Sequence, residues 1–323
     1  MSISNRVIIV DAYNLFTRHY VAHPGMSKNG EQVGGVVGFF NNLLRLVERI
    51  NPERIYVIWE SGGSKRKRDI YPDYKRGKRP ANLNRYYDDI PDTLENRNFQ
   101  IKLLVALLSK FPIVQVYVDG AEADDAIGYL ANYKLKDKHK VVVSSDHDFY
   151  QLIGEKLIIW SPTLKDFVNA DRVVERFKVH PNNYCLAKCV IGDPSDNIPG
   201  VKGISYKVLT KYFPRFSSSE DYSINEFFND VDELSKTKKL KIVKSLQEPH
   251  IRKLIKINWK LVLLDLNNLA QIQIKKIDEK VENFTFTHNN IEAHRLLNEH
   301  GVLNVDLLKA KILFKNVVNR KKT

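Results

Sequence analysis

The sequence predicts an α/β protein: a mostly parallel central sheet flanked by helices, followed by a helical C-terminal domain. Three observations lead to this. Runs apolar on both faces, Val7-Ile-Ile-Val10, Ile55-Tyr-Val-Ile-Trp59 and Val141-Val-Val143, read as strands buried inside a parallel sheet. Segments with apolar residues at helical spacing lie between them, as in Gly34–Ile50 with Val37, Phe40, Leu44 and Val47 on one stripe. After about residue 178 the alternation stops and helical patterns dominate. The 323 residues suffice for two domains, expected at 1–178 and 179–305 with a basic tail over 306–323.

Charge narrows the partners. The chain carries 51 basic and 38 acidic side chains, a net of +13, which favours a polyanion: nucleic acid first, an anionic membrane surface second. No apolar run approaches the roughly 18 residues that a membrane span needs. The opening residues read as a strand rather than a signal peptide. Cys185 and Cys189 are four apart, poorly placed to bridge each other and too few for a zinc site, so both are expected reduced. A cytoplasmic monomer is the expectation.

In chain order, Val7–Val10 ends in Asp11, either a helix N-cap or a site residue. Ile55–Trp59 ends in Glu60. Between Lys65 and Arg85 stand nine basic residues and only Asp69 and Asp73 against them, with Tyr71 and Tyr74 interleaved. Cations that meet phosphates beside rings that stack on bases favour a nucleic-acid contact over a merely solvated face. Arg97–Lys110 reads as a helix with Ile101, Leu104, Val105 and Leu108 inward. A strand over Ile113–Val118 leads to Gly120-Ala-Glu-Ala-Asp-Asp125, and a helix follows with Ile127, Leu130, Ala131 and Leu135 on one side. Val141–Val143 runs into Asp146-His-Asp148. Leu157–Trp160 is strand-like and Asp171–Phe177 helical. Asn182–Ile191 is a helix, followed by the hairpin Gly192-Asp-Pro-Ser-Asp196-Asn-Ile-Pro-Gly200-Val-Lys-Gly203-Ile and a further helix capped by Ser205. Ser217–Ser219 and the acids after it read as a surface linker. Helices are expected at Leu240–Leu246, Ile251–Leu264, Ile291–His300 and Val305–Phe314.

Four buried strands therefore end in acid, at Asp11, at Glu60, at Glu122, Asp124 and Asp125, and at Asp146 and Asp148. The carboxyl ends of parallel strands share one edge, where active sites form. Asp193 and Asp196 in the hairpin bring the candidate set to nine carboxylates in a basic protein. Like charges so close raise one another's pKa or need a cation between them. Hard oxygen donors without cysteine suit Mg²⁺ or Mn²⁺. Two such ions suit phosphoryl-transfer chemistry on nucleic acid.

Four ordered motifs, Asp11-Ala-Tyr-Asn14, Ala121-Glu-Ala-Asp-Asp125, Ser145-Asp-His-Asp148 with Gln151-Leu152, and Gly192–Ile204, make residues 7–215 resemble the flap endonuclease family of structure-specific 5′-nucleases. The segment Ser144–Val168, with Trp160-Ser-Pro162, looks most like its T-even phage ribonuclease H branch. The resemblance implies a PIN-like core, with Glu60, Asp124 and Asp146 on a first Mg²⁺ and Asp11 and Glu122 acting mostly through water. It implies Asp148, Asp193 and Asp196 on a second, together with Asp146 or Asp125, with Mn²⁺ able to substitute. It makes 61–97 an arch over the single-stranded 5′ end, with Lys75 and either Arg66 or Arg68 as catalytic cations. Lys65, Lys67, Arg76, Lys78 and Arg79 would then meet DNA. The hairpin becomes a helix-three-turn-helix over about 183–214. Gly200, Lys202, Gly203, Ser205 and Lys207 would face the duplex, and backbone carbonyls of 200–205 would bind K⁺. Implied substrates are DNA with a 5′ flap, a nick or a single-stranded 5′ end, and RNA–DNA hybrids. Implied partners are a sliding clamp and a single-stranded-DNA-binding protein, and a phage protein would work in its host's cytoplasm. Glu60 departs from the family's usual Asp, and no clean clamp-binding peptide is visible. A non-catalytic replication factor would have shed some of these acids. A haloacid-dehalogenase-type phosphatase built on Asp146-His-Asp148 would want a threonine where Phe149-Tyr150 stands.

Overall fold

A computed structural model of the chain describes residues 5–23, 25–77, 93–286 and 290–319. The first strand, β1 (Arg6–Asp11), leads directly into α1 (Ala12–Ala22), and α2 (Gly34–Ile50) follows. After β2 (Arg54–Ser61) come α3 (Lys65–Ile70) and α4 (Leu94–Leu108), then β3 (Ile113–Asp119) and α5 (Ala123–Tyr129), which runs on as a π-helical turn over Leu130–Lys134. β4 (His139–Val143), β5 (Leu157–Ser161) and β6 (Asp166–Val168) complete the sheet.

The strand order is β3-β2-β1-β4-β5-β6, parallel throughout except for β6 against β5. β1 therefore lies between β2 and β4, at the switch point of an open sheet, where the carboxyl ends of the strands leave a crevice. Val7, Ile8, Ile9 and Val10 are all fully buried, as expected of a central strand. Their side chains alternate between two cores. Val7 and Ile9 join Ile58, Val116 and Val142 on one face, while Ile8 and Val10 join Val57, Trp59 and Val143 on the other.

The first face is covered by α5 and by the helical remainder of the chain: α6 (Ala170–Phe177), α7 (Pro181–Ile191), α8 (Tyr206–Tyr212), α9 (Ile224–Thr237), α10 (Lys241–Gln247), α11 (Pro249–Val262) and α12 (Gln271–Glu282). Cys185 and Cys189 are free thiols buried in this core. Between α7 and α8 the hairpin turns on two glycines. A Cβ on Gly200 would lie 1.7 Å from the Ile191 carbonyl oxygen, and Gly192, at φ +82°, faces the Gly200 nitrogen. Ser205 caps α8 through the Val208 N–H, as the sequence predicts.

The second face is covered by α1, α2 and α4, and by two helices from the far end of the chain, α13 (Asn290–Glu299) and α14 (Leu307–Asn319). The helix expected at Val305–Phe314 is α14, and it runs on to Asn319 within the stretch expected as a basic tail. Phe314 is fully buried, with its ring 4.9 Å from Phe111 and 6.4 Å from Phe40. In α4 the buried positions are Leu103, Leu104, Leu107 and Leu108, with Gln100, so the inward face is rotated from the expected Ile101/Val105 stripe. Gln100 fills a specific role there. Its Oε1 accepts the Gly35 N–H at 2.9 Å, one of the orphan donors at the start of α2, whose N-cap position holds Val33 and lacks a side-chain cap. The expected linker at Ser217–Ser219 is short, because a capping box of Ser223 and Glu226 starts α9. Among the described residues, no helix is long and apolar enough to cross a membrane.

Replacing Phe314 with alanine should cost about 3–5 kcal/mol of stability, the scale of a truncated core aromatic. Urea unfolding of the full chain measures it, and a loss below about 1 kcal/mol would mean that α14 is not part of the folded core.

Candidate active site

The carboxyl edge of the sheet gathers the acids because each follows or ends a parallel strand. Asp11 closes β1 and does two things at once. It caps α1, accepting the Asn14 N–H at 3.2 Å, and its other oxygen accepts the Ser144 hydroxyl at 2.9 Å. Burial raises its pKa to about 7, against the lowering by these two hydrogen bonds, and Asp146 and Glu60 push it the same way as burial. Glu60, near the end of β2, accepts the Ala123 N–H at 3.4 Å. Asp146 caps the 3₁₀ turn His147–Leu152 through the Asp148 N–H at 2.8 Å, and its own N–H donates to Ser144 Oγ at 3.1 Å. Asp124 sits in the first turn of α5. Removal of its carboxyl from solvent raises its pKa well above the usual range, and the nearby charges of Asp146 and Asp11 add to that rise.

Among the described residues, Asp11, Glu60, Asp124 and Asp146 thus form a set with no lysine in ion-pair contact, although the more distant Lys75 lowers the pKa of Asp124. The other acids are answered by lysines. Glu122, 2% exposed, accepts Lys67 Nζ at 2.7 Å, the Tyr74 hydroxyl at 2.8 Å and Lys75 Nζ at 2.8 Å. Burial alone would raise its pKa, but Lys67 and Lys75 outweigh it and hold the group at about 2. Asp125 is fully buried, 3.3 Å from Lys67 Nζ, and accepts Asn268 Nδ2 at 2.9 Å. Asp148 and Asp193 share Lys188 of α7. Its ammonium is in direct contact with Asp148 and 2.7 Å from Asp193. Asp193 also accepts the N–H and hydroxyl of Ser195, and against its burial these partners hold its pKa below the usual range. Asp196 lies 3.7 Å from Lys75 Nζ, and burial raises its pKa.

The nine expected site acids therefore separate. Four form the uncompensated set, and five are tied to Lys67, Lys75 or Lys188. Among the described residues, no three of the acids and histidines close into a ready coordination shell. The first four nonetheless fit a hard divalent cation in chemistry. They are carboxylate oxygens whose burial, and to a lesser extent mutual repulsion, raises Asp11 and Asp124, and a cation among them would remove that repulsion.

The cations of the basic segment take different places. Arg66 donates to the Lys260 carbonyl at 3.3 Å and Arg68 to that of Gly62 at 3.1 Å. Lys67, expected to meet DNA, is instead the residue that reaches the acids, and at 2% exposure it has no free surface. The reason is helix phase. Ser64 caps α3 through the Lys67 N–H, and this turns position 67 inward while 65 and 68 face outward and 66 is half-buried. Lys75 does reach the cleft. Its backbone, at φ +50°, donates to the Asp196 carbonyl at 2.9 Å. Asn197 Nδ2 donates to the Asp73 carbonyl at 3.1 Å and also to that of Arg76, so the base of the basic segment is locked to the hairpin. Lys65, Arg76, Lys202, Gly203, Ser205 and Lys207 are exposed, Gly200 is half-buried, and Lys78 and Arg79 lie outside the described residues. Sequence reading missed Lys188 altogether, although a lysine inside the apolar run Leu186-Ala-Lys-Cys-Val-Ile191 was the available signal.

A carboxylate cleft at the switch point of a parallel sheet, walled by a helical region, defines an α/β domain with its site at the sheet's carboxyl edge. The family model described as "5′-3′ exonuclease, N-terminal resolvase-like domain" matches residues 6–178, more than half of the chain, and the chain belongs to that family. It is 29% identical over 218 residues to the thermostable DNA polymerase I of Thermus thermophilus, an alignment that takes in 67% of this chain and 25% of that protein. It is 27% identical over 215 residues to the 5′-3′ exonuclease of Aquifex aeolicus, covering 66% of this chain and 70% of the relative. The chain thus spans about a quarter of the length of its DNA polymerase I relatives. Its fold is similar to that of the T5 D15 protein co-crystallized with metal ions, with a TM-score of 0.67 at 21% identity over 86% of this chain and 98% of that one.

Lys67→Met should destabilise the protein by about 3–5 kcal/mol, because Asp125 would be left buried without a counter-charge and Glu122 with Lys75 alone. Adding Glu122→Gln and Asp125→Asn should restore much of the loss, and chemical denaturation of the single and triple variants separates the two cases.

The raised pKa of Asp11 has a definite pH signature. An acid that keeps its proton longer in the native state makes stability fall with rising pH between its unfolded pKa, about 4, and its native value of about 7. In the presence of a chelator, Asp11→Asn should remove more than about 1 kcal/mol of that decline, one pKa unit's worth. Unfolding curves taken across that pH window for both proteins test this.

Proposed function

We propose that the chain is a divalent-metal-dependent, structure-specific 5′-nuclease that hydrolyses phosphodiesters in DNA bearing a 5′ flap, a nick or a single-stranded 5′ end, including RNA primers on DNA. The observation that carries the reading is the uncompensated set Asp11, Glu60, Asp124 and Asp146 at the sheet edge of a protein with a net charge of +13. Family membership supports it. These four would hold the first cation, and Asp148, Asp193 and Asp196 would contribute to a second. Mg²⁺ or Mn²⁺ bound there supplies an activated water and neutralises charge that develops on the phosphate.

The chain's own residues do the rest. Ser144 fixes one Asp11 oxygen, and the cap on α1 fixes the other, so this carboxylate enters the site already oriented. Against its burial, Lys67 and Lys75 hold Glu122 ionised, and the Tyr74 hydroxyl helps to hold it in place. Lys75 is anchored by its backbone but has a partly exposed ammonium, so it can turn toward a phosphate oxygen and meet negative charge as it develops. The exposed Lys202 and Lys207 of the hairpin region, together with Lys65 and Arg76 of the basic segment, are placed to meet the backbone of the duplex or the 5′ strand. A helix-three-turn-helix grip by α7, the hairpin and α8 belongs to the same proposal.

Asp146→Asn and Asp124→Asn should each abolish Mg²⁺-dependent release of 5′-phosphate products from a labelled flap substrate, with losses of at least about 10²-fold in rate. Binding of the same DNA in a chelator should persist. Cleavage at the wild-type rate by either variant would sink the proposal.

A further inference from the structure

Lys188 is an unusual occupant of its position. It sits in the last turn of α7, 6% exposed, between the fully buried Ala187 and Cys189. Its ammonium bridges two carboxylates from different parts of the fold, Asp148 after β4 and Asp193 at the head of the hairpin. Burying three charged groups together is tolerated only if they satisfy one another. These two acids are the pair that the nuclease reading assigns to a second cation. That place is already taken, by a positive charge that belongs to the chain.

We infer that Lys188 is an exchangeable counter-cation: its ammonium closes the second cation subsite in the nucleic-acid-free protein, and a divalent ion enters only as Lys188 leaves. The inference rests on the metal-dependent reading above. The reasoning is electrostatic. An ammonium and a divalent cation within a few ångströms in a poorly solvated cleft repel strongly, so Asp148 and Asp193 serve one or the other. A lysine has a flexible four-carbon stem and a point charge that needs no fixed fork geometry, so it can swing away without repacking α7. Such a move needs another negative partner, and a backbone phosphate of the bound substrate is the chemical class that supplies one. Loading of the second subsite is therefore coupled to substrate. Among the described residues, Asp11, Glu60, Asp124 and Asp146 have no lysine in ion-pair contact, so their loading does not require Lys188 to move.

The test is cation binding by the full-length protein without nucleic acid, by calorimetric titration with Mg²⁺ and by electron paramagnetic resonance of Mn²⁺. The wild type should show one site of higher affinity. Lys188→Met should add a second, its dissociation constant lowered on the order of tenfold or more, the scale of one pKa-unit-sized charge interaction. Lys188→Gln, whose amide still donates to a carboxylate, should behave likewise and covers the case in which the methionine variant does not fold. Both variants should melt lower than wild type in a chelator and regain more of that loss than wild type on adding Mg²⁺. Isotherms and melting shifts of Lys188→Gln indistinguishable from wild type would overturn this inference alone. Absence of any cation binding in wild type and variant alike would overturn the nuclease reading and this inference with it.

Discussion

The placement of negative charge at one sheet edge governs this structure. Parallel strands deliver their acids to a common cleft, and burial there cannot be sustained by carboxylates alone. Among the described residues the chain answers with three ammonium groups, and it answers selectively. Lys67 and Lys75 compensate Glu122, Asp125 and Asp196, and Lys188 compensates Asp148 and Asp193. Asp11 and Asp124 are left with their affinity for protons raised by burial first, and then by the charge of Asp146 on both. The lysines come from the basic segment and from α7, so charge compensation also docks those parts on the sheet. Buried ion pairs of this kind do more to specify an arrangement than to stabilise it over an apolar one.

The sheet makes that arrangement possible. With β1 flanked by β2 and β4 in parallel, Asp11 lies between the acids of its two neighbours. The alternation of β1 side chains between two cores lets the helical region cover one face while α13 and α14 return to the other. The carboxyl edge stays open between them. Gln100 shows how tightly this is drawn: one buried side chain of α4 completes the start of α2, and there is no space for a Cβ at Gly35.

Much of this was legible in the sequence, and the exceptions have physical causes. Strands such as Val7–Val10 and Val141–Val143 were visible because a doubly covered strand must be apolar throughout. The acids were visible because they end those strands. α12 was not, because only Ile277 of its twelve residues is buried and the rest reads as a polar surface. α9 carried a readable capping box at Ser223–Glu226, hidden beside a run of serines. The pairing of lysines with acids was the least legible feature. In Lys65-Arg-Lys-Arg68 the residue that turns inward is decided by where α3 begins, and only the Ser64 cap discloses that. Lys188 is harder still, since its partners lie 40 residues before it and five after.

The join between the basic segment and the hairpin shows why these lysines can be both fixed and available. Lys75 sits in the left-handed region, at a cost of about 1–2 kcal/mol for a residue with a Cβ. Its N–H bond to the Asp196 carbonyl holds it there, and the two carbonyl contacts of Asn197, itself at φ +57°, brace the turn from the other side. The position of the segment is therefore set by bonds to main-chain carbonyls that involve no titratable atom. The ammonium of Lys75 is free of that duty. It can exchange Glu122 for another anion while the backbone that carries it stays put. Lys67 has no such freedom, because it is enclosed by Glu122, Asp125 and the Tyr74 ring at 5.7 Å. Two lysines on the same carboxylate thus differ in kind, one a permanent part of the wall and the other a hand on a fixed wrist, and that difference follows from burial and backbone alone.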